Sequence, residues 1–155
     1  MRYRPGDFEA VHLSPVWRDK ADYIFASHIG VQDGKNQWEQ LWGKRVSPQT
    51  YILCCIPFFV RNVSLGDEVE TDVDATLSRV LKRSGQITFR VWFGGRPAAL
   101  RDEVVHEVTA MEVLSEWYSN DLLGLSTPRA WAPRLADYLE MQASLSLLVY
   151  ETGDD

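Results

Sequence analysis

Two adjacent thiols, Cys54 and Cys55, sit in the run YILCCIPFFV and are the first residues whose type suggests chemistry. A thiol can ligate a metal or attack an electrophile, and each role makes demands. Neighbours on a strand point to opposite faces, so this pair cannot grip one metal as a C-x₂-C pair does. A nucleophilic thiol needs a cationic neighbour or a helix N-terminus, and neither adjoins in sequence. Bridging the two would close a strained ring, so no disulfide is expected. Both are expected in the core, where unreactive cysteine packs as a small hydrophobe.

Downstream, Asp67, Glu68, Glu70, Asp72 and Asp74 form the densest charge run. On an unbroken strand Glu68, Glu70, Asp72 and Asp74 project from one face. Alternate carboxylates there are about 6.6 Å apart, and calcium wants a wrapped loop with a sharp glycine turn instead. No metal and no cofactor are expected. The row suits a solvated sheet face, or a docking surface for a basic protein. Ser84, Gln86, Thr88 and Arg90 share a face of the next strand and offer hydroxyl, amide and guanidinium groups. They read as an exposed strand face, or as a polar ligand patch in a cleft between two units. His12, His28 and His106 are scattered, and no H-E-x-x-H or C-x-x-C occurs. No catalytic residue is assigned, although groups distant in sequence can converge. Gly94-Gly95-Arg96-Pro97 lacks the spacing of a phosphate loop, and the acids that follow would repel phosphate.

The elements that must position these residues change period midway. Val11–Trp17 and Tyr23–Ile29 read as short strands, and Asp33-Gly34 as a turn. In QWEQLW, Trp38, Gln40 and Trp42 alternate as in a strand. Tyr51–Ile56 is an apolar run that Pro57 should end. Val69, Thr71 and Val73 alternate with acids, and a hairpin through DAT would set Val73 against Leu77, Val69 against Leu81 and Glu68 against Lys82. After the strand QITFRVWF, residues 102–114 carry Val104, Val108 and Met111 on one helical stripe. EWYSN and LLGLST read as strands, Pro133 as the first turn of a helix with Leu135, Tyr138 and Leu139, and SLSLLVYE as a last strand. The expected class is α+β. A small antiparallel β barrel or sandwich (residues 1–84) packs on a ferredoxin-like β-α-β-β-α-β unit (residues 85–155) in one globule.

CCIPFFVRNVSLGDEVE followed by RSGQITFRV resembles a family of small bacterial proteins designated domain of unknown function 4265. The matching positions are Ile56, Pro57, Phe58, Phe59, Gly66, Asp67, Val69, Ser84, Gly85, Thr88, Arg90 and Val91. Where the family shows a histidine after its Ser-Gly this chain has Gln86, and where it shows an asparagine before IPFF this chain has Cys55. The resemblance supports the fold and implies no reaction.

The chain has 155 residues, 45% of them hydrophobic and 25% charged, the balance of one compact globular protein. A net charge of −6 opposes non-specific binding to nucleic acid or an anionic membrane. No apolar run reaches membrane-span or signal-peptide length, and two cysteines give no disulfide framework, so the cytoplasm is expected. Six tryptophans at this length suit a dense core or aromatic anchors for a partner. The reading is a non-enzymatic protein-binding module, such as an immunity protein covering a basic toxin. Its surface would comprise Glu68, Glu70, Asp72, Asp74, Trp38 and Trp42. The alternative is a small-ligand sensor using Ser84, Gln86, Thr88 and Arg90.

Overall fold

The computed structural model describes residues 3–153. The chain builds two antiparallel-dominated sheets and two helices. In the first sheet β1 (Phe8–Ala10) runs parallel to β3 (Lys35–Ser47), while β2 (Tyr23–Gln32) pairs antiparallel with β3 on its other side. Asp33 and Gly34 both take positive φ (52° and 74°), the backbone hand that a two-residue hairpin turn requires. β3 then pairs with β4 (Thr50–Leu53), β4 with β5 (Glu68–Thr71) and β5 with β6 (Leu77–Lys82).

This sheet curls but stays open, so the closed barrel is not formed. One isolated bridge, Ala26 with Thr76, links β2 to the start of β6, and the two strands then part. Inside the curl lie Phe25, Leu41, Tyr51, Leu53, Val63 and Val69.

The second sheet has the spatial order β10-β7-β9-β8, with every neighbouring pair antiparallel. Along the chain β7 (Gln86–Trp92) is followed by α1 (Ala98–Ala110), β8 (Leu114–Trp117), β9 (Leu122–Pro128), α2 (Ala132–Ser144) and β10 (Val149–Thr152). Both helices cover one face, burying Phe89, Val91, Val104, Val108, Leu123, Leu125, Leu135 and Leu139. The other face looks toward the first sheet across the loop between β4 and β5. That loop carries the whole of CCIPFFV.

Several expectations need correction. Residues 11–17 form a loop, not a strand; the first strand lies earlier, at β1. β4 ends at Leu53, ahead of the cysteines. α1 starts four residues before Asp102, directly after Pro97, and ends before Leu114. Its end is set by Glu112 in the left-handed region (φ 61°), with Glu112 N–H donating to Thr109 and Val113 N–H to Val108. Those two bonds form a Schellman cap on a residue that is not glycine. In the β5–β6 hairpin Glu68 does face Lys82, but bulges put Val69 opposite Val80 and Thr71 opposite Leu77.

The loop packs so closely on the second sheet that β9 needs a glycine there. A Cβ on Gly124 would sit 2.9 Å from Ile56 Cγ2 and 3.4 Å from Phe58 Cε1. Gly124→Ala should therefore cost about 1–3 kcal/mol by overpacking, read as a lower urea midpoint with an unchanged m-value. A midpoint equal to that of the parent would show that the loop can retreat freely.

Candidate functional site

The densest constellation of ionisable groups lies between the sheets and was not assembled from the sequence. The loop after β1 carries His12 inward, where it is 3% exposed. Its Nε2 lies 2.8 Å from Glu39 Oε2 and its Nδ1 2.5 Å from Glu116 Oε1. Glu39 comes from the middle of β3 and is fully buried; Glu116 comes from β8 and is nearly so. The imidazole stacks on Phe58, with ring centroids 4.3 Å apart and planes 13° from parallel.

Each carboxylate also grips backbone. Phe58 N–H donates to Glu39 Oε2 at 2.8 Å, and the N–H groups of Phe59 and Val60 donate to Glu39 Oε1 at 2.9 Å each. Glu116 Oε2 accepts from Ile56 N–H at 2.7 Å and from Val16 N–H at 3.3 Å. The loop therefore bends around two anions, and Pro57, which has no N–H to offer, falls in the gap between the two sets.

Both ring nitrogens of His12 face carboxylate oxygens, which only the doubly protonated imidazolium satisfies by donating twice. Burial alone would lower its pKa. The neighbouring Cys55 and the hydrogen bonds to Cys55, Glu116 and Glu39 raise it instead, to about 12. Complete burial pushes the Cys55 thiol up as well, so it is neutral at physiological pH. The charge that keeps the proton on His12 is thus that of the two glutamates. Cys54, also buried, is pushed up to about 11 by desolvation and by Cys55. Both cysteines are free, and both pack in the interior as expected. Thiols held protonated are poor nucleophiles.

The cluster has the ingredients of proton transfer and the surroundings of a structural clasp. Its carboxylates are occupied by five backbone N–H groups and an imidazolium ring between them, and burial leaves no approach for a substrate. Among the described residues no group of three or more His, Cys, Asp or Glu side chains is disposed to hold a metal ion.

The residues singled out for partner binding do not form one face. β5 ends at Thr71, and Asp72 turns its carboxylate onto the N–H groups of Asp74 and Thr76 at 2.9 and 3.0 Å. Glu70 pairs with Arg79 at 3.1 Å. Trp38 is buried and donates its indole N–H to Asp7, while Trp42 is half-buried with the Arg18 guanidinium 5.5 Å above its ring. The exposed tryptophans are Trp92, Trp117 and Trp131.

The ligand quartet is not an exposed face either; it lies at the junction of the two sheets. Thr88 is fully buried, its hydroxyl 2.7 Å from that of Ser64. Ser84 donates to the Leu65 carbonyl, and Gln86 accepts from Ser126. The Arg90 guanidinium is buried, donates to the Val60 carbonyl and has Nη1 3.7 Å from Glu151.

Arg90 borders an open groove, apart from the one lined by Ser84 and Gln86. Phe58, Phe59, Trp92, Tyr118, Val149 and Tyr150 wall a hollow of about 530 Å³ beside it. Phe59 and Tyr118 meet edge to face at 5.0 Å. Phe59 also lines a second groove of about 610 Å³ between β2 and β6, and a third of about 540 Å³ beside the β2–β3 hairpin.

A family model described as a domain of unknown function (DUF4265) matches residues 39–148. The chain belongs to this family. The matched segment begins at Glu39 and includes Glu116, the loop and both helices; His12, β1 and β2 precede it. Comparison with curated proteins returns no match. A solved structure described as a hypothetical protein from Neisseria gonorrhoeae is similar in fold, with a TM-score of 0.69 at 17% identity, covering 84% of this chain and 93% of that one.

The clasp makes two measurable demands. Glu39→Gln turns an acceptor-only group into one that must point N–H donors at N–H donors, and breaking a buried charge pair costs about 3–5 kcal/mol. Its denaturation midpoint should fall accordingly, and a change under about 1 kcal/mol would contradict the clasp. For His12 the folded pKa lies above the unfolded 6.5. Its stabilisation is fully present below pH 6.5 and drains away as pH rises toward about 12. The stability advantage of the parent over His12→Asn should therefore shrink by about 1.4 kcal/mol per pH unit above neutrality. A pH-independent difference would mean that the imidazole is neutral.

Proposed function

We propose that the protein is a non-catalytic module that binds another protein, and that its docking element is the groove system centred on Phe59. One observation carries this reading: Phe59 is exposed and shared by three adjoining grooves, while the His12–Glu39–Glu116 cluster is sealed in the clasp. A single small ligand would need one pocket, whereas adjoining grooves rimmed by exposed aromatics suit anchors from a larger partner. The strand order and the β-α-β-β-α-β succession of the second unit support reading it as ferredoxin-like, a scaffold whose helix-free face carries the loop that bears Phe59. The composition supports a cytoplasmic setting.

The immunity-protein reading, with a basic toxin as partner, draws on the net charge of −6 and on Glu68, Glu70 and Asp74 at the surface of the β5–β6 hairpin. The small-ligand alternative loses Thr88, which is committed to Ser64, and divides the rest: Arg90 borders the aromatic hollow, while Ser84 and Gln86 line a separate one of about 530 Å³.

The test is co-expression with the products of adjacent genes and measurement of any complex by calorimetry. Phe59→Ala with Trp92→Ala should weaken it at least tenfold with a smaller effect on melting temperature, because both side chains lie at the surface, 37% and 48% exposed. Glu70→Lys should slow association at low salt if the partner is basic. No complex with any neighbour, or one indifferent to Phe59 and Trp92, would remove the groove from the reading.

A further inference from the structure

The first sheet is open along one seam, and the chemistry of that seam is unlike the rest of the surface. β2 and β6 run parallel and touch at the Ala26–Thr76 bridge, then separate around the groove of about 610 Å³. Ser27–Ile29 form one side, Leu77–Val80 the other, and the loop from Phe59 to Val63 closes the base. The far edge of each strand is already taken, β2 by β3 and β6 by β5. The edges facing the seam are the ones still open to pairing beyond the bridge.

Open strand edges invite other strands, and proteins commonly guard them with charge. Here the guards are cations. Arg61, Arg79 and Arg83 line the groove together with His28, and no aspartate or glutamate does, in a chain whose net charge is −6. Such an edge repels a basic strand and selects an acidic one. Two of the arginines are engaged only at the surface: Arg79 with Glu70 and Arg61 with Glu151, each pair at 3.1 Å and well exposed. Exposed pairs of this kind are worth about 0–1 kcal/mol, so an incoming carboxylate can replace or share them at little cost.

We propose that the β2–β6 seam receives an extended segment of a partner protein as an added strand, with acidic side chains directed at Arg61 and Arg79. The four residues Leu77–Val80 offer about 13 Å of edge, enough for a short strand to register by main-chain hydrogen bonds. The segment continues over Phe59, so an apolar residue at its end reaches the aromatic groove beside Trp92. This rests on the docking reading above and deepens it, by giving the conformation and local charge of the docking segment, which is acidic even on a partner that is basic as a whole.

The experiment uses the full chain, labelled for amide NMR, and two blocked hexapeptides that alternate valine with glutamate or valine with lysine. Saturable shifts at the amides of residues 27–29 and 77–80 with the glutamate peptide, and none with the lysine peptide, are the expected result. Arg61→Gln with Arg79→Gln should weaken that binding at least fivefold, with the melting temperature of the free protein little changed. Equal response to both peptides, or none at the seam, overturns strand addition. Shifts confined to Trp92, Tyr118 and Val149 also overturn it, while leaving the aromatic groove as a docking site. The co-expression result judges the docking reading separately.

Discussion

The carboxylate of Glu39 has been taken out of water into the space between two sheets, and a bare charge there would cost more than most folded domains have to spare. Three consecutive backbone N–H groups and a protonated imidazole meet that charge. Those four donors come from two loops that would otherwise have no reason to stop where they do. The loop after Pro57 is bent so that its N–H groups converge, and the loop after β1 is pulled in to deliver His12. Glu116 repeats the arrangement from the second sheet with Ile56 and Val16. The imidazolium thus joins the two sheets through a segment belonging to neither.

The buried cluster and the open grooves are consequently separate regions of this molecule. His12, Glu39 and Glu116 are sealed inside, where they satisfy one another. At the surface lie an aromatic hollow, an open seam lined by cations and the phenyl ring of Phe59 between them. Phe58 and Phe59 are adjacent yet serve the two regions separately. Phe58 lies against His12 inside the clasp, while Phe59 stands against Tyr118 at the rim.

Local pattern made much of the fold legible. Alternation around Trp38 to Trp42 identified the long β3, Asp33-Gly34 its hairpin turn, and the change of period after residue 85 the β-α-β-β-α-β succession. The misses have local causes too. Alternation past Thr71 suggested a continuing strand, but an aspartate that can cap its own turn ended it, leaving Val73 89% exposed. The end of α1 was hidden because its left-handed cap falls on Glu112 where glycine would be the signal. The clasp was harder to see, since His12 and Glu39 are 27 residues apart and His12 and Glu116 are 104. A clue existed: within β3, Glu39 shares its face with Leu41 and Gly43, both buried, and a carboxylate on an apolar face signals a charge awaiting partners.

The family match begins at Glu39, and the cation for that glutamate comes from the preceding segment. Sequence similarity and electrical neutrality therefore draw different boundaries on the same chain. A fragment cut at the edge of the resemblance would keep both carboxylates and lose the imidazolium, along with the two strands that flank β3. A unit whose interior charges balance extends back at least to His12.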